Sequence, residues 1–192
     1  MSPQRATLPL LEVADRAGLR AWLDANYATS PGVRLAVSKK GGHVTTLTYD
    51  DAVEEGLCFG WIDSKATRLD ADRYTIQFTP RKRGGDWAPS NKERVERLIA
   101  AGLMHPAGLA VIEAAKADGS WNSLDDVEDM VMPEDLSAAL AEDSDAKAFW
   151  DALPPGQRKL ALHWVGVAKR SETRAKRIAE TVRSAAEKRR MW

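Results

Sequence analysis

Cysteine is almost absent from this chain of 192 residues, where Cys58 stands alone. A single thiol cannot close an internal disulfide or build a thiolate metal site, and a reducing compartment is its natural setting. Histidine is nearly as scarce. His43, His105 and His163 lie far apart, none with a second ligand or a carboxylate at helical spacing, so no metal and no cofactor is expected. Long apolar runs are missing too. The longest are a handful of residues, against the roughly 20 that cross a bilayer, which excludes a membrane span. The opening MSPQRATLPLLEVADRAG has too short an apolar stretch and too early an aspartate for a signal peptide, so the expected location is cytoplasmic. The sequence also holds no Gly-x-Ser-x-Gly elbow, no Walker A loop and no dinucleotide glycine fingerprint.

What is present is charge, unevenly placed. Lys/Arg and Asp/Glu balance at 28 each. Residues 156–192, however, hold eleven Lys/Arg against Glu172, Glu180 and Glu187, and an acidic excess lies between Glu113 and Asp151. Either the acidic middle and basic end face each other or form solvated helix faces, or the basic helix presents its cations to nucleic acid or anionic lipid. A nucleic-acid domain shows an uncompensated basic surface, and the balanced total makes nucleic acid the less expected partner.

Periodicity supplies the elements. Asp15 caps a helix running to about Tyr27, with Leu19, Trp22 and Leu23 on one face, stopped by Pro31-Gly32. VRLAVSKK alternates as a strand, and HVTTLTY beyond Gly41-Gly42 is expected to be its partner. Thr48 with Asp50, Asp51, Glu54 and Glu55 opens a helix that ends at Gly60. WIDSKATRL and RYTIQFTPR flank Asp70-Ala71-Asp72 as a hairpin, closed by Pro80. Ser90-x-x-Glu93 reads as a capping box for a helix to Gly102, and Pro106 opens another to Gly119. Everything later is helical, with starts at Pro133, Ser144, Pro155 and Ser171. The fold class is α+β: a small, mostly antiparallel sheet packed by helices over residues 10–118, then a helical domain over 130–192.

Reactive chemistry finds few candidates. Cys58 lies at a helix C-terminus between Leu57 and Phe59, where the dipole disfavours a thiolate, and is expected to be buried and inert. His163, between Leu162 and Trp164, reads as a packed or surface residue. Asp63 and Lys65, two apart on a strand, share a face and form either an acid/base pair or a surface ion pair. They gain interest from the loop beyond the hairpin. There Arg81, Lys82 and Arg83 precede Trp87, and Asn91, Lys92 and Arg94 follow on a helix start. Arginines, free helix N–H groups and an aromatic platform suit an anion or a flat group.

These motifs carry a family resemblance. LTYDDAVEEGLCFGWIDSK, the hairpin ending in FTPR, NKERVERLIAAGLMHPAG and LPPGQRKLALHWVGVAKRSETRAKRIAETV together resemble the YdeI/OmpD-associated, or bacteriocin-protection, family over about Leu19 to Val182. The resemblance implies a link with an outer-membrane porin and with resistance to cationic antimicrobial peptides. Members often show Ser-x-Trp-Ser around the loop tryptophan, where this chain has Gly85-Asp86-Trp87-Ala88. The positions carried over are Trp61, Asp63, Arg81, Trp87 and Asn91. The expected function is a small cytoplasmic binding or stress-resistance protein. Trp61, Asp63, Lys65, Arg81, Lys82, Trp87 and Asn91 would hold an anionic or flat small molecule, or a peptide. The alternatives are an enzyme using Asp63 as general acid/base beside Lys65 or Arg81, and a nucleic-acid or protein-binding module built on the terminal helix.

Overall fold

The computed structural model describes residues 8–39, 41–42 and 44–190. The chain divides into two compact units between Asn122 and Ser123.

The first unit is α+β. Its elements are β1 (Leu10–Leu11), α1 (Arg16–Asn26), β2 (Val33–Ser38), α2 (Tyr49–Phe59), β3 (Trp61–Arg68), β4 (Arg73–Pro80), α3 (Pro89–Ala100) and α4 (Pro106–Ala117), then a short 3-10 turn at Ser120–Asn122. The sheet order is β1-β2-β4-β3, with β1 parallel to β2 and the other pairs antiparallel. The β3–β4 hairpin closes at Asp70, whose carboxylate accepts from the backbone N–H groups of Asp72 (2.9 Å) and Arg73 (2.7 Å).

HVTTLTY is not a strand. His43 lies outside the described residues, residues 44–48 are irregular, and Tyr49 already belongs to α2. The reason is that both edges of β2 are taken, one by β1 and one by β4. The segment bonds elsewhere: Thr46 N–H donates to the Ala14 carbonyl (2.9 Å), and the Ser38 hydroxyl bonds the Thr45 backbone.

Helix ends follow local chemistry. Asp15 caps α1 by accepting from Gly18 N–H (2.8 Å), and Thr48 with Asp51 forms a reciprocal capping box on α2. Gly60 ends α2 at φ 76°, in the left-handed region that glycine enters without a Cβ penalty. Ser90 does not cap α3. Pro89, with φ already fixed near the helical value, occupies the first turn, which moves the cap back to Ala88 and leaves Ser90 inside.

The core lies between the sheet and the helices. Leu19, Leu23, Leu35, Leu57, Cys58, Trp61, Ile76 and Phe78 are buried in one cluster that also takes in Trp87, Val95 and Ile112. Among the described residues of this unit one charged side chain is buried: Glu55, 2% exposed. Its carboxylate accepts from Arg16 Nε (2.7 Å) and from Arg20 Nη1 (2.8 Å), and Arg16 also reaches Asp51 and Glu54.

The second unit is helical among its described residues: α5 (Asp125–Glu128), α6 (Glu134–Ala141), α7 (Ser144–Ala152), α8 (Pro155–Gly166) and α9 (Ser171–Ala186). Leu136, Leu140, Trp150, Leu162, Val165 and Ile178 fill its core. The acidic middle and basic end meet within this unit. Arg174 holds Asp135 two-pronged, through Nε (2.6 Å) and Nη2 (2.8 Å), and Lys159 pairs with Glu128. Along α9, Lys176 pairs with Glu172 and Arg183 with Glu180. Among the described residues no helix is long and apolar enough to cross a membrane, and no group of three or more His, Cys, Asp or Glu converges to hold a metal.

Candidate functional site

The site grows from the end of α2. Gly60 turns the chain into β3, Trp61 pairs with Pro80 across the hairpin, and the Gly60 carbonyl accepts from Arg81 N–H (2.9 Å). That bond extends the ladder one residue past Pro80 and fixes where Arg81 leaves the sheet. The Arg81 guanidinium sits over the Trp87 indole, its Cζ 3.6 Å from the ring centre, and Nη1 donates to the Asp86 carbonyl (3.1 Å). Its Nε is buried with no acceptor among the described residues. Burial pulls this guanidinium down to about 10, against the opposing charges of Asp63 and Asp86. It therefore stays cationic at neutral pH, with its Nε hydrogen unpaired among the described residues.

Arg81 lines a cavity of about 50 Å³, together with Lys82, Arg83, Trp87, Asp118 and Ser120, against an apolar wall from α4 that includes Val111 and Ala114. At roughly 10–15 Å³ per water-sized group, that is room for about three to five such groups. Trp87 is 2% exposed. One of its contacts is the Arg81 guanidinium, and another is Trp121, with ring centres 4.8 Å apart and planes 45° to each other. Lys92 and Lys116 approach the Trp121 ring at 5.7 and 5.8 Å. Asp118 accepts from the Ser120 hydroxyl (2.6 Å) and backbone N–H (3.0 Å), and with Arg83 and Gly84 N–H nearby its carboxyl is held below the usual range.

The seven residues singled out in the sequence are brought together only in part. Arg81, Lys82 and Trp87 share the cavity wall. Trp61 is a core residue, 1% exposed, edge-on to Trp22 (5.7 Å) and donating from its indole N–H to the Tyr27 carbonyl (3.3 Å). It offers no face for stacking. Asp63 sits near enough to Arg81 to act on its charge, but its Oδ2 accepts from the Tyr49 hydroxyl (2.7 Å) and it does not line the cavity. Tyr49 answers with a hydroxyl pushed up to about 12, by burial first and then by the bond to Asp63. Lys65 lies exposed within a bulge. Asp63 pairs with Phe78 and Ala66 with Ile76, so β3 carries an extra residue there and the strict alternation of Asp63 and Lys65 is interrupted. Asn91 occupies the first turn of α3, outside the cavity wall, and Arg94 is engaged with Asp50 (2.7 Å).

Sequence reasoning placed Arg83 in the cationic loop without carrying it into the candidate site, and it missed Asp118, Ser120, Trp121 and Tyr49. The only available signal was compositional: a tryptophan just past the Asp118-Gly119 helix end, beside a second polar loop.

A helical unit joined to an α+β unit with a small cationic cavity is the class of molecule that fold and site define. Residues 11–111 match a family model described as a domain of unknown function (DUF8412), and residues 129–188 match one described as "Bacteriocin-protection, YdeI or OmpD-Associated". The chain belongs to the family of the first model, which spans over half of it, and carries the YdeI/OmpD-associated domain in its helical unit. The resemblance read from Leu19 to Val182 thus divides: CFGWID and FTPR fall within the first match, and only the C-terminal motif within the second. No curated protein and no solved structure matches the chain.

Proposed function

We propose that this is a cytoplasmic bacterial stress-resistance protein, of the kind its bacteriocin-protection domain suggests, whose α+β unit binds a small anionic ligand in the Arg81 cavity. The observation that carries this reading is the buried Arg81 Nε, which lacks an acceptor in a wall that also holds Lys82 and Arg83. A buried N–H of a charged group that finds no partner costs on the order of 1–3 kcal/mol, and an entering anion removes that cost while supplying a counter-charge. Trp87 acts here by holding the guanidinium in place. Stacking of a flat ligand is not part of this reading, because Trp87 and Trp61 are both covered.

The test is a thermal-shift screen of anions against the wild type, Lys82→Ala and Arg81→Met. A ligand that binds only the folded state raises stability by RT ln(1 + [L]/Kd). The expected result is an anion-dependent rise in Tm for the wild type, reduced by Lys82→Ala and lost in Arg81→Met. Equal shifts in all three proteins would remove the reading.

A further inference from the structure

The cavity wall contains something a plain cation-lined anion site would avoid. Asp118 faces the same small space as Arg81, Lys82 and Arg83. Its carboxylate is not free to turn away, because the Ser120 hydroxyl and backbone N–H both donate to Oδ1 at 2.6 and 3.0 Å. An ionised carboxylate accepts hydrogen bonds and donates none, so against a bare anion it is purely repulsive. Against an anion that carries its own proton it is a partner, since the anion's O–H can donate to it. The cavity volume of about 50 Å³ admits a compact group of a few heavy atoms and no aromatic ring system. Trp87 and Trp121 are already engaged with each other.

We propose that the Arg81 cavity selects a protonated tetrahedral oxyanion, the hydrogen phosphate group, over a fully deprotonated one of the same shape, with Asp118 as the residue that sets the choice. This inference rests on the anion-binding reading above and deepens it. Hydrogen phosphate keeps a proton at neutral pH, and that proton is directed at Asp118 while its remaining oxygens take N–H groups from Arg81 and Arg83. Sulfate has the same size and shape and no proton, so it meets the carboxylate with two lone-pair arrays opposed. Asp118 is itself exposed, so solvent screens part of this repulsion and the discrimination is partial. The depressed Asp118 carboxyl keeps this filter ionised at neutral pH.

The experiment is isothermal calorimetry at neutral pH and matched ionic strength with inorganic phosphate, sulfate and methyl phosphate. The proteins are the wild type, Asp118→Asn and Ser120→Ala. The expected wild type prefers phosphate to sulfate by about tenfold or more, a factor of ten being about 1.4 kcal/mol. Asp118→Asn, whose amide can donate, narrows the preference to within about threefold, chiefly by gaining affinity for sulfate. Ser120→Ala keeps the carboxylate and so keeps the preference. Methyl phosphate, whose second ionisation lies at about pH 6, carries little proton at neutral pH and is expected to bind more weakly than phosphate there. Matching affinity at about pH 5, where it keeps that proton, makes a phosphomonoester the source, weaker binding there makes it free phosphate, and equal affinity at neutral pH overturns the inference. Equal wild-type affinity for phosphate and sulfate overturns the inference, as does an unchanged ratio in Asp118→Asn. A ratio that collapses equally in Ser120→Ala also overturns it, since loop geometry would then be the cause. If another anion gives an Arg81-dependent response and phosphate gives none, this inference falls and the binding reading stands. If no anion binds, both fall.

Discussion

Gly108 on α4 lies directly against the backbone of Cys58 at the end of α2: a Cβ added at Gly108 would overlap the Cys58 carbonyl oxygen and stand 2.7 Å from its carbonyl carbon. The two helices therefore touch backbone to backbone, and His105 N–H donates to that same Cys58 carbonyl (3.1 Å). No side chain can yield to make room. Gly108→Ala is expected to lower stability by about 1–3 kcal/mol or more, read as a lower urea midpoint with an unchanged m-value.

The Cys58 thiol is expected to be silent. It is fully buried, and burial followed by the nearby Glu55 charge pushes it up, with Arg20 and Arg16 opposing only in part. In native buffer a maleimide or disulfide reagent should label it far more slowly than a free thiol. The rate should climb to the free value only when denaturant opens the core. Native-state labelling as fast as a model thiol contradicts this.

The Glu55 cluster predicts non-additivity. Arg16 and Arg20 are 35% and 39% exposed, so solvent screens them, while the carboxylate they share is buried. Removing one arginine leaves the other as partner and costs about 1 kcal/mol. Removing both strands the carboxylate and should cost about 3–5 kcal/mol, more than twice the single effect. Chemical denaturation of Arg16→Ala, Arg20→Ala and the double variant closes the cycle.

Arg81→Met is expected to leave the unliganded protein as stable as the wild type, or more stable, while removing its response to anions. The guanidinium is buried without full compensation, and an apolar chain of similar length can take its place over Trp87. A large loss of stability would assign Arg81 a purely structural role.

Acid should lower the stability of the protein below about pH 4. The carboxyls of Asp51, Asp118 and Asp135 are all held below their ordinary value, chiefly by hydrogen bonds from Thr48, Ser120 and Arg174. A depressed carboxyl contributes stability that is complete above its unfolded value near 3.9 and is lost as pH falls through the lower folded one. Tm should be flat from neutrality to about pH 5 and drop below it, with a shallower drop in Asp51→Asn.

The helices were largely legible because their signals are local. Asp15, Thr48, Gly60, Pro106, Pro155 and Ser171 each mark a boundary within a residue or so. HVTTLTY misled because alternation reports a strand's likeness but not whether a partner edge is open, and β1, two residues long, had already taken that edge. The cationic loop was legible in Arg81 and Lys82. The rest of its wall arrives from Asp118 and Ser120, more than thirty positions downstream, and no periodicity connects them. Trp61 looked like a platform for the same reason it is a core residue. It begins a strand immediately after a helix, and only packing decides which side of the sheet it enters.

The bulge between Asp63 and Ala66 bears on more than the placement of one lysine. β3 is the outer strand of the sheet, and Ser64 through Arg68 are exposed along it. A straight outer strand of that length would offer its unpaired backbone to any passing copy of itself. The extra residue breaks the repeat of that backbone, and Lys65 and Arg68 place like charges along what remains. The residue read as half of either an acid/base pair or a surface ion pair thus sets a charge on the sheet edge, a placement that opposes strand-to-strand pairing.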